Sequence, residues 1–174
     1  MRAPVVALLL LLPAAAPALA AQPALTFDGL PPVRIGMTPK QAEAALHARL
    51  APMQDFESAE CWVTSRADGA DPGIAYMVED GRITRIDVWQ PGNAPPITTR
   101  TAAGIGLGSS EPEIAAAYGP GRVEPHPYLE EGGHLVIVEG RRKGSALVFE
   151  TAGGHVTGFR AGRHPAVDYS EGCQ

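Results

Sequence analysis

The side chains best suited to chemistry in this sequence gather between residues 126 and 134. His126, Glu130, Glu131 and His134 are all potential zinc ligands, because imidazole nitrogens and carboxylate oxygens bind Zn²⁺. Their spacing, His-x₃-Glu-Glu-x₂-His, matches no standard zinc motif, and Pro and Gly residues interrupt the stretch. We therefore regard His126, Glu130 and His134 as weak metal candidates and expect a solvated loop, with no metal or other cofactor.

A second acidic stretch holds Asp68 and Asp71, whose oxygens could contribute to a Ca²⁺ site. Too few further carboxylates lie close in sequence for a recognised Ca²⁺ loop. Asp favours hairpin turns through local hydrogen bonds and Gly through its tolerance of the left-handed conformation, so a plain turn is the simpler interpretation.

Signatures of an enzyme are sparse in this chain. It contains no Gly-x-Ser-x-Gly elbow, no glycine-rich phosphate loop and no His-Glu-x-x-His motif. Ser109 and Ser110 precede a predicted helix and are better explained as its cap. Cys173 as a nucleophile would need an ordered base close by, and its place at the tail favours a structural disulfide instead. The sequence therefore indicates a protein without catalytic activity.

Two cysteines, Cys61 and Cys173, remain after the first twenty residues are set aside. Arg2 followed by an apolar run from Val5 to Leu12 and the ending Ala18-Leu19-Ala20 predicts a signal peptide over residues 1–20. In the oxidising compartments that such a leader serves, a disulfide between the two cysteines is expected, with two free thiols as the alternative. The residue directly after the predicted cleavage point is Ala21 and not the cysteine that a bacterial lipoprotein would need, so we expect no lipid anchor.

Net charge and hydropathy limit the cellular locations and the classes of partner that we expect for this protein. The formal net charge of −5 disfavours nucleic-acid binding. No later segment reaches the roughly 20 apolar residues that a membrane-spanning helix needs. We expect a periplasmic or secreted protein without a transmembrane segment. The basic run Arg141-Arg142-Lys143 is typical of a charged hairpin tip that keeps a sheet soluble.

One stretch of sequence occurs twice at a fixed spacing. Residues 33–42 return as residues 105–114, so that Thr38 corresponds to Ser110, 72 positions later, and Gln41 to Glu113. Each copy predicts a capped helix with Pro in its first turn. The first helix is expected to run from Pro39 to Leu50, and Gly119-Pro120 to end the second.

After each predicted helix the hydrophobic period changes from 3.6 to 2, which indicates an antiparallel meander. The expected strands are Cys61–Arg66, Gly73–Glu79, Arg82–Trp89, Leu135–Glu139, Ser145–Thr151 and His155–Arg160. We therefore predict an α+β fold of two tandem modules packed side by side, each with a helix and an antiparallel sheet of three to four strands. The first repeat spans residues 21–90, a Pro-rich linker residues 91–99, and the second repeat with its tail residues 100–174.

The string Ile-Gly-Met-Thr-x-x-Gln-x-x-x-x-Leu at residues 35–46, followed by a meander, resembles the module of the BamE-type outer-membrane assembly lipoproteins. Its duplication over residues 25–162 resembles the secreted beta-lactamase inhibitor proteins. That second resemblance implies that Asp71 occupies a position where the family's aspartate mimics a substrate carboxylate. It also implies that Cys61 matches one half of the family's first-repeat disulfide.

Trp62 and Trp89 are the remaining candidate binding residues, since an aromatic on an open sheet face serves as a contact anchor and on a covered face as core. One of the two is expected in the core, and strand parity does not decide which. The leading hypothesis is an exported, non-catalytic protein that binds another envelope or secreted protein. The alternatives are a small-ligand or metal carrier using a cleft between the modules and, third, an uncharacterised hydrolase.

Overall fold

The computed structural model describes residues 23–53, 58, 60–129 and 132–173. The predicted signal peptide and the metal candidates Glu130 and Glu131 lie outside the described residues. The helices are α1 (Pro39–Leu46) and α2 (Glu111–Tyr118). The strands are β1 (Gly29–Leu30), β2 (Val33–Arg34), β3 (Leu50–Pro52), β4 (Cys61–Arg66), β5 (Ile74–Glu79), β6 (Arg82–Trp89), β7 (Arg122–Pro125), β8 (Gly133–Glu139), β9 (Ser145–Ala152) and β10 (His155–Arg163).

Both helices begin where the repeat predicts. Thr38 caps α1 in a capping box with Gln41, whose side-chain oxygen lies 2.9 Å from the Thr38 nitrogen. At α2 the Glu113 carboxylate accepts from both the N–H and the hydroxyl of Ser110, at 2.7 and 2.8 Å. The second helix ends before Gly119, as predicted.

The first helix is shorter than predicted. It ends at Leu46, and His47 adopts the left-handed conformation with φ 51°. Leu50, the predicted last residue of the helix, instead begins β3, which pairs with β4. The pairing of this segment with a distant strand overrides its local helical pattern.

The predicted fold class is wrong, because the two halves do not form separate helix-plus-sheet modules. Their strands belong to one antiparallel sheet of eight strands, in the order β3-β4-β5-β6-β10-β9-β8-β7. The last strand of each half, β6 and β10, pairs with the other through a register that sets Asp87 opposite Arg160 and Val88 opposite Phe159. In each half, therefore, the strands run in chain order from an outer edge of the sheet to its centre.

The two halves join because β6 and β10 pair with each other at the centre of the sheet. Left alone, each half would expose the unpaired main-chain N–H and C=O groups of β6 or β10 at a sheet edge. Both strands are largely buried, so their pairing satisfies these groups and leaves the short strands β3 and β7 at the outer edges. Local hydrophobic period cannot distinguish this arrangement from two separate sheets.

One face of the sheet packs against the two helices and the segments that lead into them. The buried side chains of this main core come from both halves and include Ile86, Val88, Phe149 and Phe159. Ala42 and Ile114, which are equivalent positions of the repeat, contribute the fully buried side chains of the helices. The helices thus bury the same face, as the repeat predicts.

The other face of the sheet is partly covered by the end of the chain. After β10, a 3₁₀ turn at Ala166–Asp168 lays the chain across this face. The fully buried Val167 packs there with a smaller cluster of apolar side chains, Leu135, Ile137, Ala146 and Val148. We call residues 164–173 the C-terminal strap.

The predicted linker is an ordered loop around Gln90. The Gln90 amide nitrogen donates to the carbonyls of Pro91 and Ala94, both at 3.1 Å, while its oxygen accepts from the Ile97 N–H at 3.0 Å. Within the described part of the chain, no helix has the length and apolar character needed to cross a membrane.

Candidate functional site

The strap is held to the sheet by two buried arginines. Arg85 Nη1 donates to the carbonyl oxygens of Ala166 at 3.1 Å and Tyr169 at 2.5 Å. Arg160 Nε donates to the carbonyl of Val167 at 2.7 Å. These bonds satisfy main-chain groups that the 3₁₀ turn leaves without a partner, so the strap docks through its backbone as well as through Val167.

Close approach of the strap requires a glycine on β10. A Cβ placed at Gly162 would lie 2.9 Å from the Val167 Cβ and 3.1 Å from the Thr84 carbonyl oxygen. Real Cβ atoms are almost never found so close to another carbon, so a side chain here would lift the strap.

A disulfide fixes the far end of the strap. Cys61 on β4 and Cys173 are bonded, with their Cα atoms 5.7 Å apart, which confirms the predicted pair. The bond joins residues 112 positions apart. It therefore ties the end of the second half to the first half.

Between the strap and the sheet lies a cavity of about 380 Å³, which we call the strap cavity. Residues 170–173 line it on the strap side. Met53, Val63 and Trp89 give it an apolar side. Met53 is 40% exposed, so this end of the cavity reaches the surface.

The floor of the strap cavity carries four charged side chains in two ion pairs. Arg85 binds the Asp87 carboxylate from the same strand, with Nε 2.8 and 2.9 Å from the two oxygens. Arg160 on β10 donates through Nη1 to Glu150 Oε1 on β9. Burial raises the pKa of Asp87, and the Arg85 guanidinium partly opposes that rise. Because each cation is matched by an anion, the floor carries no net charge.

The second ion pair leaves one buried donor without a partner. Arg160 is 2% exposed, yet its buried Nη2 has no hydrogen-bond partner. On the other side of the pair, Glu150 Oε2 lies 3.8 Å from His126 Nε2, beyond hydrogen-bond distance. Burial lowers the pKa of Arg160, and the neighbouring Arg85 adds to this effect. A buried N–H without a partner is uncommon in folded proteins.

Sequence reasoning did not find Arg85, Asp87, Glu150 or Arg160. The polar residues in the Arg82–Trp89 strand alternate with Ile83, Ile86 and Val88, a pattern typical of a strand with one solvated face. In the described part of the chain, the strap covers Arg85 and Arg160 on that face. The one sequence signal was the opposite charges of Arg85 and Asp87 at alternate positions of one strand. That pattern does not predict which segment of the chain packs over them.

The two tryptophans lie on opposite faces of the sheet. Trp62 packs against the main core under the helices, and Trp89 lines the strap cavity. One tryptophan is therefore in the core, as expected, and it is Trp62.

Asp71 does not project alone from its turn. Its carboxylate lies 3.1 Å from Arg66 Nη1, and Arg66 also binds Asp68 at 2.7 and 3.0 Å. The Arg66 guanidinium and the Ala70 N–H hold the pKa of Asp68 at about 2. Asp71 also lines a separate cavity of about 390 Å³ near Tyr76, whose pKa burial raises to about 12.

The two histidines of the metal hypothesis are not brought together. His134 Nδ1 lies 2.8 Å from Glu111 at the start of α2, whereas His126 lies near Glu150 on the other face of the sheet. Thr151 donates to the same Glu111 oxygen at 2.6 Å, and these two bonds lower the pKa of Glu111. Among the described residues, no three His, Cys, Asp or Glu side chains are placed to hold a metal.

The basic run lies between β8 and β9, where a hairpin tip was predicted. Its Arg142 Nη2 is 3.4 Å from Asp28, and both side chains are more than half exposed. Pairs of this kind contribute little to stability.

The chain matches no protein-family model, no curated protein and no solved structure. The resemblance to assembly lipoproteins and beta-lactamase inhibitor proteins stays a prediction.

Proposed function

We propose that this protein is a non-catalytic binding protein that holds a small organic molecule in the strap cavity. The observation that carries the proposal is the cavity itself. Its volume of about 380 Å³ lies in the range of small-molecule sites, and it combines an apolar side with a few convergent polar groups. The predicted leader and the disulfide support a periplasmic or secreted setting for this activity.

This proposal adopts the alternative of a small-ligand carrier but places the ligand at a different site. The cleft between two modules was expected to hold the ligand, and the single sheet removes that cleft. The strap cavity takes its place, with walls from both halves and from the tail.

Filling the strap cavity tests the proposal. Gly158 lines the cavity, and a Cβ there would lie 3.5 Å from Glu150 Oε2 and 3.7 Å from the Val88 carbonyl oxygen, which is ordinary contact. Gly158→Leu is therefore the variant chosen to fill the cavity. Gly92→Leu is the matched control, because a Cβ at Gly92 has no neighbour within 4 Å.

The assay is ¹H–¹⁵N NMR with a library of fragment-sized compounds, both neutral and charged. We expect hits whose shifts map to Trp89, Gly158 and residues 170–173, and we expect Gly158→Leu to lose them while Gly92→Leu keeps them. Hits that survive in Gly158→Leu, or a library without hits at this site, would show that the cavity is not a binding site.

A second candidate function is the binding of another envelope or secreted protein. It is favoured by exposed apolar side chains at the β7 edge of the sheet, namely Val123 at 53%, Tyr128 at 58% and Leu129 at 39% exposure. A photo-crosslinker placed at Tyr128 should capture a defined protein from envelope extracts, and the same probe at Gly92 should not. Equal labelling from both positions would reject this candidate.

A further inference from the structure

The outer edge of the sheet at β7 carries a self-complementary pattern of charges. Taking the surface of the second candidate function, we infer that this edge binds a second copy of the chain by antiparallel strand pairing, with Val123 opposite Val123 of the copy. The inference does not depend on the ligand proposed for the strap cavity, because Arg122, Val123 and Glu124 do not line that cavity.

Strand β7 ends the sheet on the side of the second half. Among the described strands it pairs only with β8, in a register that sets Arg122 opposite Ile137 and Pro125 opposite His134. A strand at a sheet edge presents unpaired main-chain N–H and C=O groups that a further strand can bind. Val123, in the middle of β7, is more than half exposed, so this edge is accessible.

The register of β7 decides which of its main-chain groups face outward. His126 continues the register and donates its N–H to the Gly133 carbonyl at 2.9 Å. Because hydrogen-bonded and non-hydrogen-bonded pairs alternate in an antiparallel ladder, the main-chain groups of Glu124 also face β8, and those of Val123 and Pro125 face away. Pro125 has no N–H, so Val123 offers the outward donor. In a pair of copies centred on Val123, the two valines exchange both bonds.

Opposite charges flank Val123 on one face of the strand. Arg122 and Glu124 form an ion pair with each other, and their side chains are 54% and 43% exposed. In a pair centred on Val123, Arg122 lies opposite Glu124 of the second copy, and the two-fold symmetry of the dimer repeats this contact. Each charge then has an opposite charge along its own strand and another across the interface, which stabilises strand pairing.

Neighbouring registers of the same pairing lose the charge match. Moving the centre of the pair to Arg122 or to Glu124 keeps outward main-chain groups opposite each other but sets two like charges face to face. Like charges directly opposite in a sheet are destabilising. The edge therefore favours one register, and in that register a second copy supplies the complementary charges.

Charge reversal with rescue by mixing tests this pairing. Arg122→Glu puts two carboxylates on each strand and Glu124→Arg puts two guanidinium groups there, so each variant should repel its own copy. We expect each to raise the dissociation constant of the wild-type dimer about thirtyfold in sedimentation velocity, the change that about 1 kcal/mol at each of the two cross-strand contacts produces. An equimolar mixture of the two variants should restore the wild-type affinity, because opposite charges then face each other.

Arg49→Glu is the matched control. It changes the net charge by the same amount as Arg122→Glu, and Arg49 is an exposed residue that directly precedes β3 at the opposite edge of the sheet. This control should dimerise like the wild type. If a charge variant does not fold, Val123→Pro decides instead, because it removes the outward N–H but no bond to β8 and should abolish the dimer.

Three results would overturn the inference. They are a wild-type protein that stays monomeric at every concentration, a dimer that charge reversal or Val123→Pro leaves unchanged, and a mixture of folded charge variants that stays monomeric. Capture of a different protein at Tyr128 by a monomeric wild type would leave the second candidate function standing. The ligand of the strap cavity is tested separately through Gly158→Leu, so its failure and the failure of the dimer are distinguishable.

Discussion

Removal of the disulfide tests how the strap is held. The bond between Cys61 and Cys173 joins residues 112 positions apart. By the loop-closure relation, a cross-link over that length removes unfolded-chain entropy worth about 5 kcal/mol at 25 °C. We expect Cys61→Ser combined with Cys173→Ser to lower the free energy of unfolding by about that amount.

The strap should nevertheless stay in place in the folded variant. Val167 is fully buried, and Arg85 and Arg160 donate three hydrogen bonds to strap carbonyls, none of which involves the cysteines. The loss therefore arises in the unfolded chain and not in the native contacts. Faster hydrogen exchange is expected only at the end of the strap, near residues 170–173.

Urea unfolding measures the free energy, with a separate m-value for each protein because the uncross-linked unfolded chain is less compact. Wild-type protein under reducing conditions is the control and should match the double variant. A loss below about 2 kcal/mol would refute the loop-closure reasoning. Rapid exchange throughout residues 164–169 would refute the claim that Val167 and the arginines hold the strap by themselves.

The remaining predictions concern the start of the strap. Gly162→Ala should destabilise the fold by about 1 to 3 kcal/mol in urea, because the new methyl would overlap Val167, and no loss would contradict the close approach. His164 lies 2.5 Å from Asp168 and 3.2 Å from Glu139, and these bonds raise its pKa above the ordinary value, Asp168 contributing most. Because the folded-state pKa is the higher one, the stabilisation is complete below the unfolded pKa and is lost as pH rises through the folded pKa. The stability difference between wild type and His164→Gln should therefore be larger at about pH 5.5 than at about pH 8.5, and an unchanged or reversed difference would reject it.

The sheet face on which each predicted site residue lies does not follow from its local sequence. His126 and His134 are close in sequence, but their positions on neighbouring segments send them to opposite faces of the sheet. Trp62 and Trp89 differ in the same way. Strand parity relates residues within one strand and says nothing about which face another part of the chain will cover.

The sequence alone determined the local architecture of each half. Helix caps, Pro positions and alternating strands are set by residues within a few positions of one another, and the strands Cys61–Arg66 and Arg82–Trp89 have the predicted bounds. The leader and the two cysteines likewise predicted the disulfide that the structure contains.

The tertiary structure alone decided that β6 and β10 pair, and that the end of the chain crosses the face they share. Those two events bring Arg85, Asp87, Glu150 and Arg160 together beside the strap, with the two arginines buried. Pairing between strands far apart in sequence depends on which edges remain unsatisfied once each half has folded. That is a property of the whole chain, which no local pattern of residues records.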